Sequence, residues 1–177
     1  MDDIDNLFED NYSRTSIAAA ISYALNENSD FEGGTILKMA EYFETLIDME
    51  ETDDDSVDVF VETTIGSLSI LIGSTLGWTE ISSVEARHVA ATAYLKTLDT
   101  AALQWADDQN NCYVHKEFQH SNIRAFVGKY RGDEEENDDI CVTVTDDDDS
   151  ICLSKKLSQE VPRIKQSILF HLLLFLL

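Results

Sequence analysis

Cationic side chains are scarce in this 177-residue chain. Lys and Arg number 12 against 35 Asp and Glu, for a formal net charge of −23. The isoelectric point is accordingly near 4.1. Nucleic acids and anionic lipid headgroups are bound by cations that displace their counterions, so both partner classes are excluded. The acidity itself reads as solvated, solubilising surface. Cysteine is also sparse. Cys112, Cys141 and Cys152 form no CxxC pair and no Cys/His metal spacing. An odd count allows at most one disulfide, and Cys141 and Cys152, in two strand-like runs, are candidate neighbours. No Gly-rich phosphate loop, GxSxG elbow or HExxH pair is present, so no residues propose an enzyme. The acidic opening, MDDIDNLFED, lacks the basic start and apolar stretch of a secretory signal.

What is present is enough for one domain with a core. The length suits one domain, or one and a fragment, and 44% of residues are hydrophobic. Residues 1–11 read as an acidic tail, 12–110 as a helical unit and 111–177 as a partial β unit ending in an apolar run. Within the helical unit, Ile17, Ile21, Ala24 and Leu25 predict a helix over about 13–26. Asn28, Ser29 and Asp30 break it. Ile36, Met39, Ala40, Phe43, Leu46 and Ile47 predict a second over about 35–50. The acidic link 51–55 follows. Val57, Val61, Ile65, Leu68 and Ile72 predict a third over about 57–76, ended by Gly77-Trp78. Gly66 and Gly73 interrupt that stripe. Each weakens a helix by about 1 kcal/mol relative to Ala, so a kink or a close helix–helix contact is expected there.

Ser82 followed by Glu85 predicts a capping box opening a fourth helix. Ala91, Tyr94, Leu95, Leu98, Ala101, Ala102 and Trp105 share its face, and it ends near Asp107. The stripes require mutual burial, hence a bundle of about four helices. Its expected core includes Phe43, Leu68, Trp78, Leu95, Leu98 and Trp105. Beyond Cys112 the texture becomes β-like. Ile123 to Tyr130 is apolar and β-favouring, Ile140 to Thr145 alternates with period two, and Ser150 to Leu153 is a short strand. Acidic stretches at 132–139 and 146–149 separate them, and Pro162 punctuates the next link. The fold class is therefore α+β: a helical bundle followed by an incomplete antiparallel β-sandwich.

The chemistry-bearing residues have bland readings. Asp146 to Asp149 offers hard oxygens to Ca²⁺ but lacks the ligand spacing and turn glycine of an EF-hand, and reads as a solvated loop. Asp53 to Asp55 reads as helix punctuation. His88, His115, His120 and His171 have no nucleophile or carboxylate at a persuasive spacing; His115 and His120 read as loop histidines. Trp78 and Trp105 read as core rather than ligand anchors. No cofactor or metal is expected. The closing run, SILFHLLLFLL, is shorter than the roughly 20 apolar residues of a membrane span and reads as a buried strand. A hydrophobic tail that touches membrane or aggregates is the other reading.

The order of pieces resembles the GAIN domain of latrophilin-like adhesion G-protein-coupled receptors. Asp30-Phe31-Glu32-Gly33-Gly34 and the following stripe are similar to that family's linker and helix. Val61-Glu62-Thr63 leading to Leu68 and Trp78, Ala90 to Leu95 with Leu98-Asp99 and Ala101-Ala102, Ser121-Asn122-Ile123 to Tyr130, and Ser150 to Ser154 resemble further family segments in order. The resemblance implies a helical subdomain followed by a β-sandwich. It also implies a cell-surface, extracellular scaffold whose partners are the rest of a receptor and cell-surface ligands. Asn11-Tyr12-Ser13 is a glycosylation sequon suited to that compartment. The family's cysteine-rich self-cleavage site and seven-helix domain have no counterpart here. The chain is thus expected to be a non-enzymatic receptor fragment that neither cleaves itself nor signals alone. The alternative is a cytosolic acidic helical adaptor that grips protein partners in a groove. A Ca²⁺-responsive protein using the aspartate loops is a third reading.

Overall fold

The structure is a computed structural model and describes residues 2–9, 12–27, 31–50, 56–109, 113–130, 140–143 and 150–153. Among them, helices come first: α1 (Asp2–Glu9), α2 (Arg14–Asn26), α3 (Gly33–Asp48), α4 (Val57–Gly73), α5 (Thr75–Glu80) and α6 (Val84–Asp108). Strands follow: β1 (Tyr113–His120), β2 (Ile123–Tyr130), β3 (Ile140–Thr143) and β4 (Ser150–Leu153). The class is α+β, as the change of periodicity near Cys112 predicts. The strands form two separate antiparallel pairs, β1 with β2 and β3 with β4. Among the described residues, no helix is long and apolar enough to cross a membrane.

Apolar spacing explains the bundle. All six residues of the α3 stripe, from Ile36 to Ile47, are buried. They pack against α6, while α2 packs against α4. The α4 helix is central, touching α2, α6 and the β1–β2 hairpin. It buries Phe60 and Leu71 as well as Val57, Val61, Ile65 and Leu68, more than the single stripe in the sequence. Phe43, Leu68, Leu98 and Trp105 lie in the core as expected. The expected close contact at Gly66 and Gly73 is with the hairpin rather than with another helix.

Several expectations need correction. The acidic tail is a helix: Ile4, Leu7 and Phe8, spaced three and four apart, give α1 an apolar edge. Phe8 stacks on Tyr42 at 5.5 Å between ring centroids. The expected third helix stops at Gly73, and Trp78 belongs to the separate short α5. Trp78 is half-buried; its indole N–H donates to the Leu71 carbonyl at 2.9 Å and its ring meets Tyr94 edge-on. Leu95 is not core but 39% exposed. The buried arc of α6 runs through Ala90, Ala93, Tyr94, Thr97 and Leu98, and one residue beyond Tyr94 turns the chain by about 100°.

The helix cap lies one residue later than expected. Ser83, not Ser82, accepts from the Ala86 amide at 3.2 Å, so the helix begins at Val84. Glu85 then falls in the first turn, where the helix dipole favours a carboxylate. Finally, His115 and His120 lie on β1, which the polar sequence Tyr113–His120 concealed. The expected neighbours Cys141 and Cys152 are paired in the β3–β4 register. Asn11, the 51–55 link, the 146–149 aspartates, His171 and the closing apolar run lie outside the described residues.

Candidate functional site

Polar side chains join α4 to the β1–β2 hairpin. Residues 58, 62, 66, 69 and 73 recur every three or four positions and so share one face of α4. On β1, residues 116, 118 and 120 share one face with period two. Four residues of helix advance about 6 Å and two residues of strand about 6.6 Å. The two repeats therefore stay nearly in step, and each polar group on one meets a partner on the other.

At one end, Lys116 Nζ lies 3.1 Å from Asp58 Oδ1 and 3.6 Å from Glu62 Oε2. Asp58 Oδ1 also accepts from the Trp105 indole at 2.8 Å, which ties α6 into the junction. The Trp105 hydrogen bond, then that from Lys116, holds the Asp58 carboxyl below its ordinary value of 3.8. The Lys116 ammonium also sits over the buried Phe118 ring, 4.7 Å from its centroid. Phe118 meets Trp105 edge-on at 6.1 Å.

Midway, His120 Nε2 stands 3.4 Å from Glu62 Oε1, within ion-pair range but not aligned as a hydrogen bond. Gly66 lets the imidazole lie against the helix: a Cβ there would stand 3.2 Å from His120 Cε1. At the far end, the two-residue turn Ser121-Asn122 docks through Asn122. Its backbone N–H donates to Ser69 Oγ and its side-chain amide to the Ser69 carbonyl, each at 2.9 Å. Gly73 leaves room for that amide. Below the polar row, Phe118, Ile123, Ala125 and Val127 bury the apolar face of the hairpin.

A cavity of about 380 Å³ opens beside this junction. It is lined by Ser22 and Asn26 of α2, Glu62, Thr63, Gly66, Ser69 and Ile70 of α4, and His120, Ser121 and Asn122 of the hairpin. A neighbouring cavity of about 290 Å³ shares Asn26, Ile70 and Asn122 and is lined further by Leu25 and Phe31. The lining of the first mixes polar side chains with the apolar Ile70.

Of the residues singled out in the sequence, the structure brings Trp105, Gly66, Gly73 and His120 to this junction, while Phe43, Leu98 and Trp78 sit elsewhere in the bundle. His88 is exposed on α6. Ser69, Asn122, Asp58 and Lys116 were not legible as site residues. The one sequence signal was the recurrence of small residues at 66, 69 and 73. Among the described residues, no group of three or more His, Cys, Asp or Glu stands where it would hold a metal ion. No protein-family model matches the chain, and no curated protein compared with it matches either.

Proposed function

We propose that this chain is a non-enzymatic scaffold segment of the extracellular part of a latrophilin-like adhesion receptor, similar to the GAIN domain. The junction of α4 with the hairpin carries this reading. A helical layer fixed to a β layer by three successive polar contacts suits a module that transmits position rather than one that turns over substrate. The four strands would be the opening strands of an antiparallel sandwich completed by later residues. Segments that carry the sequence resemblance, Val61-Glu62-Thr63 and Ser121-Asn122-Ile123, supply both sides of the junction, which supports the same reading. The protein would reside at the cell surface, carry a glycan at Asn11, and engage the rest of its receptor and cell-surface ligands.

A second reading, the cytosolic acidic adaptor, draws support from Val84, Val89, Leu95 and Leu103, which are exposed on α6 and give a partner helix apolar footholds. Endogenous protein captured with an antibody against the α3 to α6 region separates the two. The receptor reading expects labelling by a membrane-impermeant biotin reagent and a mass shift on N-glycosidase treatment that Asn11→Gln abolishes. Cytosolic fractionation of an unglycosylated chain would overturn it.

A further inference from the structure

The β3–β4 pair holds two of the three cysteines of the chain. Its register sets Cys141 directly opposite Cys152, with Ile140 opposite Leu153 and Val142 opposite Ile151. Directly opposite residues of an antiparallel pair have Cα atoms about 4.5 to 5.5 Å apart, according to whether they exchange hydrogen bonds. Disulfides span Cα separations of about 4.4 to 6.8 Å. Either kind of position therefore meets the backbone requirement for a bond. A slip of one residue would set Cys141 against Ile151 or Leu153 instead. Cys112 immediately precedes β1, which pairs with β2 rather than with β3 or β4.

We infer that Cys141 and Cys152 form a disulfide by exchange with a small disulfide compound, and that Cys112 is the thiol left over. One thiolate attacks a sulfur of the oxidant and releases a thiol, leaving a mixed disulfide on the protein. The thiolate of the other cysteine attacks the protein sulfur of that bond and displaces a second thiol. The two protein thiols are thereby oxidised and the small disulfide is reduced. The protons of the protein thiols end on the two released thiols. The bond closes residues 141 to 152 into a ring that contains Asp146 to Asp149. It couples the strand pair to the redox state of its surroundings: closed where disulfides persist, open where thiols are kept reduced. The inference rests on the strand register and stands independently of the receptor reading.

Cystamine tests it, being a small cationic disulfide suited to a chain of net charge −23. The full chain is reduced, desalted and treated with cystamine, and the remaining thiols are alkylated. Trypsin leaves Cys141 and Cys152 on one peptide, because no Lys or Arg lies between them. An aspartate-specific protease cuts among Asp146 to Asp149 and is expected to give two fragments that stay joined until reduced. Cys112 is expected as a cysteamine adduct or an alkylated thiol. Resolution of the mixed disulfide into the ring is expected to be at least about tenfold faster in the native chain than in concentrated urea, because the register holds the two cysteines together beyond their closeness in sequence. Cys112→Ser leaves the bond intact, and Cys141→Ser leaves Cys152 carrying cysteamine. Equal rates of closure with and without urea overturn the inference. So does a bond from Cys112 to either strand, or cysteamine on Cys141 and Cys152 together.

Discussion

The side-chain amide of Asn122 occupies the space where a Cβ on Gly73 would stand. This relationship explains a helix-weakening residue in the last turn of α4. Gly73→Ala improves helix propensity by about 1 kcal/mol but drives its methyl into Asn122, an overpacking cost of about 1–3 kcal/mol. Urea denaturation is expected to show a net loss, recovered in the Gly73→Ala/Asn122→Ala double variant relative to the sum of the singles. Gly66→Ala should behave oppositely. Its new Cβ meets only the outer edge of the half-buried His120 ring, at 3.2 Å, and that ring can shift. It should gain up to about 1 kcal/mol. Equal losses at both glycines would contradict this account.

Acid should loosen the hairpin through Asp58. The Trp105 indole and Lys116 hold its folded-state carboxyl below 3.8, the value it has when unfolded. A lowered carboxyl contributes stability that is complete above that unfolded value and is lost as pH falls through the folded one. Trp105 reports the event directly, since its N–H donates to the same oxygen. Tryptophan emission followed downward from pH 3.8 should change in the native chain, and Asp58→Asn should remove that step.

Tyr94 joins α6 to α3 through its hydroxyl, which donates to the Ile36 carbonyl at 2.6 Å. Burial pushes the phenol well above its ordinary range, so it stays protonated and remains a donor. Tyr94→Phe keeps the ring contacts with Phe43 and Trp78 and removes only this bond. A loss of about 1–2 kcal/mol is expected by chemical denaturation.

Leu95 and Leu98 should separate sharply. Leu98 is 2% exposed and Leu95 39%. Leu98→Ala should cost about 2–4 kcal/mol through lost burial and the cavity left behind. Leu95→Ala should cost well under about 1 kcal/mol, because its side chain gives up little burial. Comparable losses would place Leu95 back in the core.

The bundle was legible because its stripes are long and regular. Ile36 to Ile47 and Ile17 to Leu25 fixed their helices within a few residues. Boundaries were less legible. Glu85, three residues on, favours Ser82 as the cap in sequence, but the helix begins at Val84 and Ser83 takes that place. Leu95 shares a repeat with residues on both sides of the buried arc, so spacing alone placed it inside. The β1 strand was hidden because Phe118 is its one described side chain that is buried. The α1 helix was hidden by its acidic composition.

Local pattern by itself determined α2, α3, α4 and α6, the later strands and the α+β order, because the apolar periods of 3.6 and 2 are properties of neighbouring residues. The meeting of Asp58 with Lys116, of Glu62 with His120, and of Ser69 with Asn122 was decided only by the tertiary structure. These partners stand 53 to 58 residues apart. Nothing in either segment names the other. They meet because burying Phe118, Ile123, Ala125 and Val127 sets the hairpin alongside α4, and the matched rise of strand and helix then aligns the polar rows.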